Sequence, residues 1–261
     1  MTNEKKRIIL QAIEYMNNHL DEEITSEKLA NHVGYSPFHF SRVFKEVTGV
    51  PPRHYLSALR IEAGKEALVN PSDSIIKAVL GAGFRSAGSF SSKFKQYVGL
   101  SPKQFQKNIK PLHRFMNEYD VSTNLLPLEA LEPSVTCRII VPPSFNGLIF
   151  IGLFSKPIPD QAPIIGTAIN HQQTSCTFSN VPKGKYYVLA VAIAKSLNPL
   201  NYFLLSNALR GIAEKPVDTE HHRTSFTEVT LREALPYDPP ILINLPKLLF
   251  DTTKANQEKN K

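Results

Sequence analysis

The sequence predicts a multidomain α and β chain: an all-α N-terminal part built from a duplicated helical unit, then a mainly antiparallel β-sandwich. Three observations carry this expectation. The stretch "FSRVFKEVTGVPP" at 40–52 returns as "FSSKFKQYVGLSP" at 90–102. The apolar period changes from helical to alternating near residue 135. The charge is also lopsided: 16 of the 30 lysines and arginines and only 10 of the 23 acidic residues fall in 1–110.

The repeat is wider than the quoted words. Gly34-Tyr35 answers Gly83-Phe84, with one extra residue before the second "FS". Phe40, Phe44, Lys45, Gly49, Pro52 and Tyr55 then match Phe90, Phe94, Lys95, Gly99, Pro102 and Phe105. A repeat of this period is one supersecondary unit used twice, too few copies for a solenoid.

The helices follow in order. Ile9, Ala12, Ile13, Met16 and Leu20 share one helical face. Thr25 or Ser26 caps a second helix carrying Leu29, Ala30 and Val33, which Gly34 ends. Ser36-Pro37 sets serine as N-cap and proline at the first helical position of a third helix, running to about Val47 and stopping before Gly49. A longer helix spans about 53–69 and closes at Asn70-Pro71. Ser74 opens the next, Gly81–Gly83 break it, Ser86 or Ser89 opens its successor, and Ser101-Pro102 starts a short last helix. Residues 109–134 are expected to be a linker. From 135 to 251, short β-rich runs such as "VTCRIIV", "GLIFIGLF" and "TSFTEVTL" are separated by Pro and Gly turns, the pattern of a sandwich. The segment 195–216 is expected to include a helix. "YDPPILINLP" at 237–246 reads as an edge strand or as a sandwich strand with an irregular start, its double proline limiting ladder bonds. The polar 252–261 is expected to be a disordered tail.

On a helical wheel, Phe40, Val43, Phe44 and Val47 form a core stripe, and Phe38, Ser41, Arg42 and Lys45 lie opposite. The outward face suits a DNA major groove. Arginine can bond guanine bidentately, an aromatic can touch a thymine methyl, and lysine can reach a phosphate. With the preceding helix and its glycine turn, the unit reads as helix-turn-helix. In the second copy Phe90, Phe94 and Tyr97 keep the stripe, while Gly88, Ser91, Ser92 and Lys95 face outward with no bidentate group. The two copies therefore get unequal roles. Phe38, Ser41, Arg42, Gly88, Ser91 and Ser92 are the expected base-reading positions. Ser36, His39, Lys45, Ser86, Lys93 and Lys95 are the expected phosphate positions.

The run "SEKLANHVGYSPFHFSRVFKEVTGVPPRHYLSALRIEAGKEAL" followed by "GFRSAGSFSSKFKQYVGLSPKQF" resembles the double helix-turn-helix DNA-binding domain of the AraC/XylS family. The resemblance covers residues 5–108, about two-fifths of the chain, within an expected domain of 1–108. It implies about seven helices, two recognition helices in successive major grooves, promoter or operator DNA as partner, and contact with RNA polymerase. This sequence departs from the family pattern at Ala78 and Val79, where an Ile and an Ala are usual, and at Ser92, often an arginine. "FSNVPKGKYYVLAV" resembles a hairpin of transthyretin-like and carboxypeptidase-regulatory-like sandwiches. Residues 135–251 would then sense a small-molecule effector or mediate self-association.

Other classes find little support. There is no HExxH, GxSxG, phosphate loop or Cys-His nucleophile pattern, so no catalytic residue, metal site or cofactor is expected and the chain is read as a non-enzyme. His171, His221 and His222, with Asp218 and Glu220 nearby, read as solvated surface. Cys137 and Cys176 have no metal-type spacing and fit a reducing compartment. The start shows no signal pattern, and no apolar run approaches the ~20 residues of a membrane span, so a cytoplasmic location without membrane association is expected. Two alternatives stay open: a non-specific architectural DNA binder, and a ligand- or protein-interaction module anchored on DNA.

Overall fold

The computed structural model describes residues 2–69, 75–119, 132–159 and 161–259. The chain divides into two compact units, Met1–Asn108 with Leu235–Ile243, and Ile109–Ala234 with Asn244–Lys261. Among the described residues, no helix is long and apolar enough to cross a membrane.

The first unit is helical. Its elements are α1 (Asn3–Asn18), α2 (Ser26–His32), α3 (Pro37–Thr48), α4 (Pro52–Val69), α5 (Ile75–Gly81), α6 (Ala87–Val98) and the start of α7 (Pro102–Glu118). Local chemistry sets the boundaries. The Thr25 hydroxyl accepts from Lys28 N at 3.0 Å and caps α2. Ser36 has N-cap backbone geometry, its carbonyl accepting from Phe40 N at 2.9 Å, but its side chain makes no cap bond. Pro37 at the first helical position supplies the pre-set φ instead. The Ser86 hydroxyl does cap α6, accepting from Ser89 N at 3.2 Å. The expected stop at Asn70-Pro71 and start at Ser74 lie outside the described residues.

The last helix of this series is not short. It runs to Glu118 with Pro111 inside it. Phe105, Ile109, Leu112 and Met116 are all buried, and their spacing continues one helical face past the point where a linker was expected.

The second unit is sheet-rich. Its strands are β1 (Ser134–Ile140), β2 (Gly147–Phe154), β3 (Ile165–Asn170), β4 (Ser175–Phe178), β5 (Lys185–Ala194), β6 (Leu209–Ile212), β7 (Val217–Asp218) and β8 (Thr224–Thr230), with helices α8 (Leu200–Phe203) and α9 (Leu245–Lys259). One sheet has the order β4-β1-β8, the other β3-β2-β5-β6, with β7 pairing β5. All the pairings are antiparallel except β1 with β8. Val135, Cys137 and Ile139 of the first sheet share one core with Ile149, Ile151, Val188 and Ala190 of the second. β2, "GLIFIGLF", is buried along its whole length.

Three local expectations differ from the structure. "FSNVPKGKYYVLAV" is not a paired hairpin: β4 lies in one sheet and β5 in the other, so 179–184 crosses between sheets. The crossing is pinned by Val181 N donating to Pro133 O at 2.9 Å and by the Tyr186 hydroxyl donating to Pro182 O at 3.0 Å. Residues 237–243 form no strand, and Pro239-Pro240 withhold two ladder donors. Most of 252–261 is helical, as part of α9. The Asn244 side chain caps that helix on Lys247 N at 3.1 Å, Leu245 and Leu249 are buried, and Lys247–Asp251 and Lys254–Glu258 are i,i+4 pairs. Polar composition predicts a tail here, and the Asn244 cap and the i,i+4 pairs make a helix of it instead.

Candidate nucleic-acid interface

The core side of α3 is fixed first. Phe40, Val43, Phe44 and Val47 are buried, with the Phe40 and Phe44 rings 5.5 Å apart and Phe44 edge-on to Tyr55 at 5.4 Å. With that face committed, the helix presents Phe38, Arg42 and Lys45 to solvent and half-buries Ser41. Phe38 is 84% exposed, which wastes apolar area unless a partner covers it.

Two neighbours condition this face. Arg42 Nη2 donates to His39 Nδ1 at 3.3 Å, and the His39 ring stands edge-on to Tyr35 at 4.7 Å. His39 thus steers the guanidinium. Glu46, the one acid on α3, accepts from Lys5 Nζ at 2.9 and 3.0 Å. That bond holds its carboxyl below the usual carboxylate range. Lys5 therefore pairs the one acid of α3, a contact with no local signal because the partners lie 41 residues apart.

The second lobe repeats the glycine stops and the aromatic packing of the first. Gly49 and Gly99 end α3 and α6 at φ +79° and +85°, donating to Lys45 O and Lys95 O at 2.9 and 3.0 Å. Phe90 and Phe94 lie 5.3 Å apart, and Phe94 meets Phe105 at 5.4 Å. On α6, Ser86, Gly88, Ser92, Lys93 and Lys95 are exposed and Ser91 half-buried. Lys93 leaves from the flank rather than beside Lys95. Its Nζ donates to Gln96 Oε1 at 3.2 Å and lies 5.9 Å from the centre of the Tyr97 ring.

Helix α4 sets the two lobes against each other. Arg60 Nε donates to Leu20 O at 3.0 Å and its Nη2 to Glu22 O at 2.6 Å. Gly83 packs on the same carbonyl so closely that a Cβ there would sit 1.8 Å from Leu20 O. Arg85 adds a bond to Glu23 at 2.7 Å, exposed and worth little by itself. Arg60 and Gly83 stand in the matched sequence, but their common target could not be read from it.

In the sheet-rich unit, an open cleft of about 490 Å³ brings together Glu132, Lys183, Thr219, His221, His222 and Arg223. His221 Nδ1 lies 3.0 Å from Asp218 Oδ2 and keeps that carboxyl below its usual range. Among the described residues, no group of three or more His, Cys, Asp or Glu could hold a metal ion.

Residues 29–108 match the family described as a helix-turn-helix domain. The chain is 31% identical over 98 residues to an uncharacterised HTH-type transcriptional regulator, YobQ, of Bacillus subtilis strain 168, covering 38% of this chain and 41% of that one. It is 35% identical over 96 residues to an uncharacterised HTH-type transcriptional regulator of Staphylococcus aureus strain MSSA476, covering 37% and 13%. The chain thus spans less than half the length of these relatives. Among solved structures, a transcriptional regulator with an AraC-type DNA-binding domain from Chromobacterium violaceum matches at TM-score 0.38 and 25% identity, covering 41% of this chain and 96% of that one. The DNA-binding domain of AdpA, solved with a target DNA, matches at TM-score 0.38 and 24% identity, covering 40% and 93%.

Proposed function

We propose, from the premise that residues 29–108 are a helix-turn-helix domain of the AraC type, that the chain is a sequence-specific DNA-binding transcription regulator reading two successive major grooves. The observation that carries this reading is the outward face of α3. Phe38, Arg42 and Lys45 stand exposed opposite a fully buried stripe, and the same scaffold is repeated in α6. In this reading Phe38, Ser41 and Arg42 address base edges in one groove, and Gly88, Ser91 and Ser92 lie against the next. Ser36, His39, Lys45, Ser86, Lys93 and Lys95 address phosphates. Gly88 and Ser92 offer no bidentate donor, so α6 contributes close backbone approach and shape readout more than base discrimination.

The sheet-rich unit is read as a β-sandwich over 135–251, supported by the single core that its two sheets share. It would bind an effector or mediate association. The cleft around Lys183 and Arg223 supports an effector site of mixed charge. Contact with RNA polymerase completes the mechanism as the family implies it.

The test is selection of duplexes from a randomised pool at moderate salt, followed by sequencing of the retained DNA. The expected result is a split motif with halves about one turn, ~10 bp, apart, the stronger half read by the first lobe. A pool retained without any enriched motif would leave charge-driven, architectural binding in its place.

A further inference from the structure

Residues 235–243 follow β8 and precede α9 in sequence, yet they belong to the compact helical unit. We propose that this segment is an intramolecular strap that holds the DNA-reading unit in its binding-competent form. The sheet-rich part of the chain, joined covalently to both ends of the strap, would thereby govern DNA affinity. The regulatory half rests on the function proposed above.

The strap closes on side chains that a free-standing helical domain would leave wet. The Tyr55 hydroxyl donates to Asp238 O at 3.0 Å, and Lys65 Nζ donates to Ile241 O at 3.3 Å. Both side chains sit on α4, and they are only 2% and 1% exposed. Lysine is almost never fully buried unless it is paired, because removing an ammonium from water costs several kcal/mol. Lys65 has the Glu62 carboxylate at 3.2 Å as its second partner. Ile241, Leu242 and Ile243 are buried, and Lys6 of α1 lies 5.6 Å from the centre of the Tyr237 ring. A lysine concealed in this way marks a surface that the protein keeps covered.

The strap also leads to the reading helix. The Tyr55 ring whose hydroxyl it holds is the ring that supports Phe44, and Phe44 packs on Phe40 in the buried stripe of α3. The matching residue of the second lobe is Phe105, which has no hydroxyl to give. The hydroxyl anchor therefore acts on the lobe whose outward face carries Arg42. The strap is stiff: Pro239 and Pro240 fix φ, and the Asp238 side chain accepts from Leu235 N at 2.8 Å while its own N donates to Leu235 O at 2.9 Å. A stiff segment transmits a displacement of its ends instead of absorbing it.

The experiment uses the full chain and measures amide exchange across 235–243 and α3 together with affinity for a selected duplex. Tyr55→Phe removes the hydroxyl and keeps the ring. The pair Pro239→Gly and Pro240→Gly loosens the strap by freeing φ at both positions. Each should speed strap exchange and raise the duplex Kd, by roughly fivefold for Tyr55→Phe, the worth of one ordinary hydrogen bond. By reciprocity, saturating duplex should slow strap exchange in the unaltered chain. A purely structural clasp would exchange faster in the variants while duplex affinity stayed put, and that result overturns the proposal. So does a duplex that leaves strap exchange unaltered. An unaltered chain that binds no duplex would remove the DNA-binding reading and the regulatory claim with it.

Discussion

Arg42 is the side chain on which sequence discrimination should turn. Its exposure follows from the spacing of Phe40, Val43, Phe44 and Val47, and a helical wheel reveals it. Its alignment by His39 is less legible, since an i,i+3 contact depends on ring orientation. Arg42→Ala should cost about 1–3 kcal/mol at the selected site and relax preference at one base position. Competition binding against single-base variants of the site checks this, and an equal loss on every sequence would reassign Arg42 to a phosphate. The cysteines give a second prediction at this scale. Cys137 and Cys176 are cross-strand partners in β1 and β4, and burial pushes both thiols up to about 12. They stay protonated in the folded chain while unfolded thiols ionise near 9.0. The unfolded state therefore sheds protons first, and stability should fall as pH rises from about 9 toward 12. At pH 8 a thiol reagent should label buried Cys137 only as fast as the chain opens and half-buried Cys176 sooner, which timed labelling with and without denaturant would reveal.

At the scale of elements, the repeat foretold equal helices but not equal environments. Gly34 and Gly83 are counterparts with φ of +73° and +70°. A Cβ at Gly34 would meet nothing within 4 Å, whereas at Gly83 it would strike Leu20 O. Gly34→Ala should therefore cost about 1 kcal/mol, the ordinary penalty of a left-handed alanine. Gly83→Ala should cost clearly more, because the clash is with backbone that cannot swing away. Urea denaturation of the two variants compares them directly, and equal costs would refute the close seat of Gly83 on the first lobe. The late helices show the opposite bias. The sequence predicts only a short helix from Ser101-Pro102 where α7 runs to Glu118, and a disordered tail over 252–261 where α9 forms. Buried Ile109, Leu112 and Met116 in one, and the Asn244 cap with its i,i+4 pairs in the other, settle their lengths.

Across the whole helical unit, the fixed geometry of the two lobes would set the spacing of a site read by both. Arg60 and Gly83 meet on the carbonyl of Leu20, so the lobes cannot turn freely about α4. Inserting about five base pairs, half a turn, between the two halves of a selected site should reduce binding to that of the first half alone. Gel-shift titration of the spaced series tests this. Undiminished affinity would mean that the lobes move independently.

The sequence by itself determined the helical and sheet-rich parts, the duplicated unit, the buried stripes of α3 and α6 and the outward faces they imply. These are local matters, decided by period, capping residues and glycine turns within a few positions of one another. Tertiary structure alone decided that Lys5 pairs with Glu46, that 179–184 crosses between two sheets, and that the "DPPILI" stretch closes over Tyr55 and Lys65. Those partners lie as many as 183 residues apart. A hydrogen bond across such a separation leaves no periodic trace in the chain, because its donor and acceptor are chosen by where the backbone has already been carried by packing.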